Sequence, residues 1–217
     1  MNDDPARIAP RLAPLPKQEW SEAAIAALHA AFGDGRASHL LTDGPDALHV
    51  PNVLTTLMHH PELAGPFLVY NAVLLNAPTL EPRWRELMIL RVAWRTQAPY
   101  EWAQHVRLAS RFGIAPEEID AVGEGPTAER WLPIEADLLA ATDQLIDAHC
   151  IDDETWSRLA TQLDERQLVE VAFVVGTYTC LAMAFNSFGL ELDPELEGVA
   201  PPLPPGLDGS ASNRGRF

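Results

Sequence analysis

Cysteine is almost missing from this chain: 217 residues contain two, Cys150 and Cys180, thirty apart and in no recognisable frame. A single possible pair excludes a disulfide scaffold and points to a reducing, cytoplasmic compartment. Positive charge is scarce as well. Fifteen Lys and Arg against 31 Asp and Glu leave a formal net charge of −16, which argues against a nucleic-acid groove or an anionic membrane surface as partner. A small anionic molecule is not excluded, because a few local arginines override the global field. Long apolar runs are absent too. The longest, around "VEVAFVVGTYTCLAMAF", is interrupted by polar residues and falls short of the roughly 20 residues of a membrane span. The opening "MNDDPARIAPRLAP" is acidic and never builds the apolar segment of a secretory signal. No His/Cys/Asp cluster has metal-ligand spacing, and "GDGRASHLLTDG" precedes no phosphate-loop Lys-Ser/Thr. A soluble protein without metal or cofactor is expected.

What is present is helix. Apolar residues make up 47 % and charged ones 21 %, ordinary for a globular protein. Residues 1–17 carry four prolines and form an arm, either disordered or laid on a neighbouring subunit; 198–217 combine Pro, Gly and Ser as a flexible tail. Between them, 18–197 read as one all-α domain. "SEAAIAALHAAF" begins with a serine cap and is expected to stop at Gly33, followed by a loop through "GDGRASHLLTDGPDALHV". Further helices follow in "PNVLTTLMHH", "PELAGPFLVYNAVLLNA", "EPRWRELMILRVAWRT", "PYEWAQHVRLASRF", "APEEIDAV", "PIEADLLAATDQLIDAH" and "DDETWSRLATQL", several with proline in the first turn. "DERQLVEVAFVVGTYTCLAMAFNSFG" is apolar nearly all round and should lie in the middle of the fold. "LEPRWRELMILRVAW" and "LDERQLVEVAFVVG" echo one another, which suggests two loosely related helical halves.

The chemistry concentrates in "RELMILRVAWRTQAPYEWAQH". Glu101 and His105, four apart, share one helix face, where they can pass a proton or hold one for a substrate. Glu101 lies in the first turn after Pro99, a place whose free N–H groups favour an ionised carboxylate. The same spacing also occurs as surface decoration. The neighbours Tyr100, Trp102, Val106 and Leu108 leave little solvated surface on this helix, which makes an idle polar stripe less expected. Arg83, Arg85, Arg91 and Arg95 form a basic cluster in an acidic chain, and one guanidinium there would suit a substrate carboxylate. Equally, these arginines neutralise nearby acids. His59 and His60 finish one helix and cap the next, while His49 and Asn52 are weaker pocket candidates. Tyr178, Asn186 and Ser187 are polar groups in apolar surroundings.

The stretch "RELMILRVAWRTQAPYEWAQHVRLASRFGI" resembles the core of the carboxymuconolactone decarboxylase / alkylhydroperoxidase-D superfamily, with the core motif over 80–120. The resemblance implies an all-helical bundle, a homo-oligomer and sites near subunit contacts. The peroxidase branch of that superfamily carries Glu, eleven residues, Cys, two residues, Cys, three residues, His. Here its Glu falls on Glu86 and its His on His105, while the two cysteine positions are Ala98 and Glu101. Thiol-based peroxide reduction needs both sulfurs. Cys180, in an apolar run, is expected to stay protonated and inert. The decarboxylase branch carries Glu, three residues, His, matching Glu101 and His105.

The resemblance therefore implies a cofactor-independent acid–base enzyme acting on a small carboxylated or lactone substrate by decarboxylation or related lyase or isomerase chemistry. Its expected catalytic residues are Glu101, His105 and Glu86, with His105 as the acid, Glu101 orienting the imidazole and Glu86 bridging from the preceding helix. Arg91, Arg95, Tyr100 and Trp102 are the expected substrate-binding residues. Two alternatives stand beside it: a peroxidase-related protein using Cys150 or Cys180, and a non-catalytic helical binding or assembly protein.

Overall fold

The computed structural model describes residues 9–42 and 49–197. Residues 1–8 of the expected arm and the expected tail at 198–217 lie outside the described residues. Within them all regular structure is helical, as anticipated: α1 (Glu22–Leu41), α2 (Asn52–Leu57), α3 (Pro61–Asn76), α4 (Pro82–Arg95), α5 (Pro99–Ala109), α6 (Pro116–Glu124), α7 (Pro133–Ala148), α8 (Asp153–Ala160) and α9 (Glu165–Phe188). The described residues divide into two compact units, one of 9–42, 49–76 and 187–193, the other of 77–186 and 194–197. The two echoing segments seen in the sequence both fall in the second unit.

In the first unit α1 packs along α3 over a core of Trp20, Leu28, Leu40, Leu54, Met58 and Leu68. The helices approach so closely that a Cβ on Gly65 would sit 3.1 Å from that of Ala27. Gly33 does not end α1 as expected. It breaks the helix instead, at φ 73°, and the chain resumes helical geometry as far as Leu41, in place of the first part of the expected loop, of which 43–48 lie outside the described residues. The described part of the arm is held within its own unit. Arg11 and Leu12 donate their backbone N–H to the Phe188 carbonyl at 2.8 and 3.1 Å, and Leu15 donates to Thr55. His49 and Asn52 are occupied by the buried Asp193, which accepts from the Asn52 amide at 2.7 Å and meets His49 Nε2 at 3.1 Å. His59 faces the Ala13 carbonyl.

The second unit is built around α4, which packs against α5, α6 and α7, with α8 laid on α7. Nine consecutive residues of α4, Arg85 to Ala93, are buried, so this helix is enclosed on every side. Each large aliphatic side chain so covered contributes about 1.5–3 kcal/mol, which makes α4 the structural axis of the unit. Proline begins α4, α5, α6 and α7, where its missing N–H has no helical partner to lose. The Glu118 and Glu135 carboxylates accept from the backbone N–H of Ala115 and Leu132 just ahead of α6 and α7.

α9 departs from its expected place in the middle. Ten of its side chains are buried, but Val169, Phe173 and Met183 are exposed on another face. By length and composition it is also, among the described residues, the one helix that would pass for a membrane span, which the interrupted sequence run does not suggest.

Candidate active site

The site is made where α4 turns back into α5. Thr96, Gln97 and Ala98 form the turn, with the Ala98 N–H on the Ala93 carbonyl at 3.0 Å and Gln97 at φ 53°. That closing bond fixes the start of α5 against the end of α4. It sets His105, two turns into α5, opposite Glu86, which lies one turn into α4.

His105 Nδ1 meets Glu86 Oε1 at 2.7 Å, a charge-assisted distance. The Glu86 side chain is 2 % exposed and that of His105 12 %. A carboxylate on Nδ1 fixes the ring and leaves Nε2 as the reactive nitrogen. Nε2 has no hydrogen-bond partner among the described residues. The ring is also met edge-on by Tyr178 from α9, with centroids 5.2 Å apart and planes at 86°. Burial pushes the Tyr178 hydroxyl pKa up, the carboxyls of Glu101 and Glu86 push it further, and Arg85 partly opposes them. Tyr178 therefore keeps its proton and walls the imidazole without acting as a base. Arg85 is buried beside Glu86 with its guanidinium over the Phe112 ring at 5.5 Å.

Glu86, Glu101, His105 and Tyr178 are thus brought together, but not in the expected pairing. The partner of the imidazole is Glu86, from the neighbouring helix, and not Glu101. Glu101 is buried, and neither carboxyl oxygen has a hydrogen-bond partner among the described residues. Its first-turn position is expected to favour ionisation. Burial does the opposite and raises its pKa well above the usual carboxylate range.

The expected substrate-binding residues are placed elsewhere. Arg91 and Arg95 lie about 140° and 180° around α4 from Glu86. Arg91 grips Asp143 of α7 with two bonds, at 2.7 and 2.8 Å, and donates to the Val122 carbonyl at 2.6 Å. Arg95 bonds Asp143 and Asp147, each at 2.7 Å. Any substrate carboxylate there would have to displace these acids. Arg83 is likewise held by Glu118 and Glu135. Tyr100 is buried edge-on to Phe185 and accepts from Gln104 at 3.3 Å; Trp102 packs with Leu87, Leu90 and Ala93 in the core. Asn186 donates to the Thr96 carbonyl.

Both cysteines are free and exposed, so Cys180 does not sit in the apolar surroundings that its sequence context suggests. Cys180 lies two residues beyond Tyr178 on α9. That step turns its side chain about 200° away from the one facing His105. Tyr178 is the site residue that sequence reasoning could not place; its only signal is a hydroxyl within an apolar helix.

This geometry defines an all-helical protein with a buried Glu–His dyad between two neighbouring helices. Residues 61–144 match the model of the carboxymuconolactone decarboxylase family. No curated protein matches the chain. Several solved structures share its fold. The alkylhydroperoxidase AhpD core of an uncharacterized peroxidase-related protein from Ralstonia eutropha JMP134 is 17 % identical. It aligns over 88 % of this chain and 96 % of its own, with a TM-score of 0.68. A cysteine-to-alanine variant of the debrominase Bmp8, in complex with 2,3,4-tribromopyrrole, is 15 % identical over 86 % and 93 %, at 0.66. An uncharacterized peroxidase-related protein from Silicibacter sp. TM1040 is 16 % identical over 91 % and 96 %, at 0.63.

Proposed function

We propose that the chain is an acid–base enzyme of the decarboxylase-like kind, acting on a small carboxylated or lactone molecule through His105, with Glu86 as its positioning residue. One observation carries this reading: Nδ1 of a nearly buried histidine is fixed by a buried carboxylate while Nε2 has no partner among the described residues. In the step envisaged, the bond between the substrate carbon and its carboxylate breaks and its electron pair enters a conjugated carbonyl as an enolate. Carbon dioxide leaves. The imidazolium N–H at Nε2 then delivers its proton to carbon, and the neutral ring regains one from water. Nothing is oxidised or reduced. Positioned proton transfer of this kind contributes about 10²–10⁴-fold.

The test is a panel of small lactone acids and β-keto acids, read by release of carbon dioxide and uptake of solvent deuterium. His105→Asn should lower turnover of any accepted substrate by about 10²–10⁴-fold. Glu86→Gln should lower the rate and move the pH profile, and Glu86→Asp should restore part of both. Full activity in His105→Asn sinks the proposal.

A peroxidase-related activity is the second reading, favoured by the peroxidase-related proteins that share the fold. It would have to use Cys150 or Cys180, since Ala98 and Glu101 occupy the motif positions. Peroxide turnover lost in Cys150→Ala or Cys180→Ala would establish it. Self-association remains part of the proposal. The exposed Val169, Phe173 and Met183 of α9 would suit an uncharged contact between copies of a chain with charge −16. Sedimentation of wild type against Phe173→Asp tests it.

A further inference from the structure

Glu101 is the ionisable group that the dyad leaves over. It is 2 % exposed, one turn from His105 on the same helix, with neither oxygen partnered among the described residues. The other buried acids of its unit are served differently. Glu86 has His105, Glu135 has Arg83, Asp137 has Arg158 and Glu170 has the Thr79 amide and hydroxyl. An unpartnered buried polar group is costly, and an apolar side chain of similar size would fill the space with less penalty. Packing therefore gives no reason for a carboxyl at this position. Its place does give one, since it stands one helical turn from His105, whose ring Tyr178 flanks.

We propose that the Glu101 carboxyl group is the hydrogen-bond donor for a substrate carbonyl oxygen that becomes an enolate, and hence that the site takes a carbonyl compound. The inference rests on the dyad reading and names its substrate class. Burial favours the uncharged acid, as the direction of its titration also indicates. An O–H in a water-poor setting binds an oxygen more strongly as negative charge gathers on it, so the bond gains strength as the reaction proceeds. The proton stays on Glu101 throughout; the proton that reaches carbon comes from His105. Glu101 and His105 thus divide the work, one holding the oxygen and the other serving the carbon.

Two measurements on the whole protein test this without turnover. The first is the infrared carbonyl stretch of a protonated carboxylic acid at neutral pH, expected in wild type and missing from Glu101→Gln. The second is binding of para-nitrophenolate, whose oxyanion imitates the enolate and whose visible band reports its surroundings. Glu101→Leu should weaken binding on the order of tenfold or more. Glu101→Gln keeps an N–H donor and should stay within a few-fold of wild type. The proposal is overturned by absence of the acid band from wild type, by no saturable phenolate binding in wild type, or by Leu binding as well as wild type. Should the Leu variant fail to fold, a phenolate bound at least tenfold more tightly by Glu101→Gln would be the mark of a removed negative charge and would overturn the proposal equally. Phenolate binding that behaves as expected while His105→Asn keeps full turnover sinks the dyad reading alone.

Discussion

On the α7 side of α4, Arg91 and Arg95, one turn apart, meet Asp143 and Asp147, also one turn apart. On the α5 side, Glu86 meets a single histidine and Glu101 meets nothing among the described residues. Both sides bury ionisable groups. The first satisfies each cation with a carboxylate, and Arg91 with the Val122 carbonyl as well, which leaves little for a ligand to do. The second leaves an imidazole nitrogen and a carboxyl with unused capacity. The proposed site thus lies on the under-satisfied side of α4 and the structural network on the saturated one.

The largest expected effect tests the under-satisfied side. His105→Asn should lower turnover by about 10²–10⁴-fold with little change in the denaturant midpoint, since asparagine can still donate to Glu86. The saturated side should respond in reverse. Arg91→Ala leaves Asp143 and the Val122 carbonyl without their main donor, and breaking such a buried pair costs about 3–5 kcal/mol. Urea unfolding would show the loss, while turnover per folded molecule should stay near wild type. A large rate defect in folded Arg91→Ala would erase the distinction.

Glu101 makes the comparison depend on pH. Its folded pKa is raised, so the folded state holds a proton that the unfolded chain releases near pH ~4.3. Stability from this group is therefore full below that point and is lost as pH rises toward the folded pKa. Relative to Glu101→Gln, wild type should lose stability between pH 4 and the alkaline side. Paired stability curves that stay parallel over this range would mean that Glu101 does not keep its proton.

How much of this is legible in the sequence depends on distance along the chain. Local signals, such as Ser21 capping α1 and proline opening α4 to α7, place the helices well because each acts within one turn. Gly33 misleads: its positive φ is a kink between helical segments, and the side chains beyond it could continue either way. The spacing of Glu101 and His105 shows that they share a helix, but not which carboxylate the imidazole chooses. That choice depends on how α5 lies against α4. The arginine cluster reads as an anion site because the acids that meet it, Asp143 and Asp147, are some fifty residues further on. The exposed face of α9 is hidden for a related reason, since an apolar helix looks the same whether one side or all sides are covered.

The smallest effect concerns the turn that aligns the two sides. Gln97 holds φ 53°, a left-handed geometry that strains a side-chain-bearing residue by about 1–2 kcal/mol. Glycine adopts it freely, but Gln97→Gly forfeits the side-chain bond to the Trp94 carbonyl at 2.9 Å and loosens the unfolded chain. These opposing effects nearly cancel, leaving a net change within about 1 kcal/mol, read as little movement of the denaturation midpoint. Turnover should be unchanged, because the bond that fixes α5 on α4 uses the Ala98 and Ala93 backbone and survives the substitution. Slower turnover would instead show that the Gln97 side chain helps hold His105 in register with Glu86.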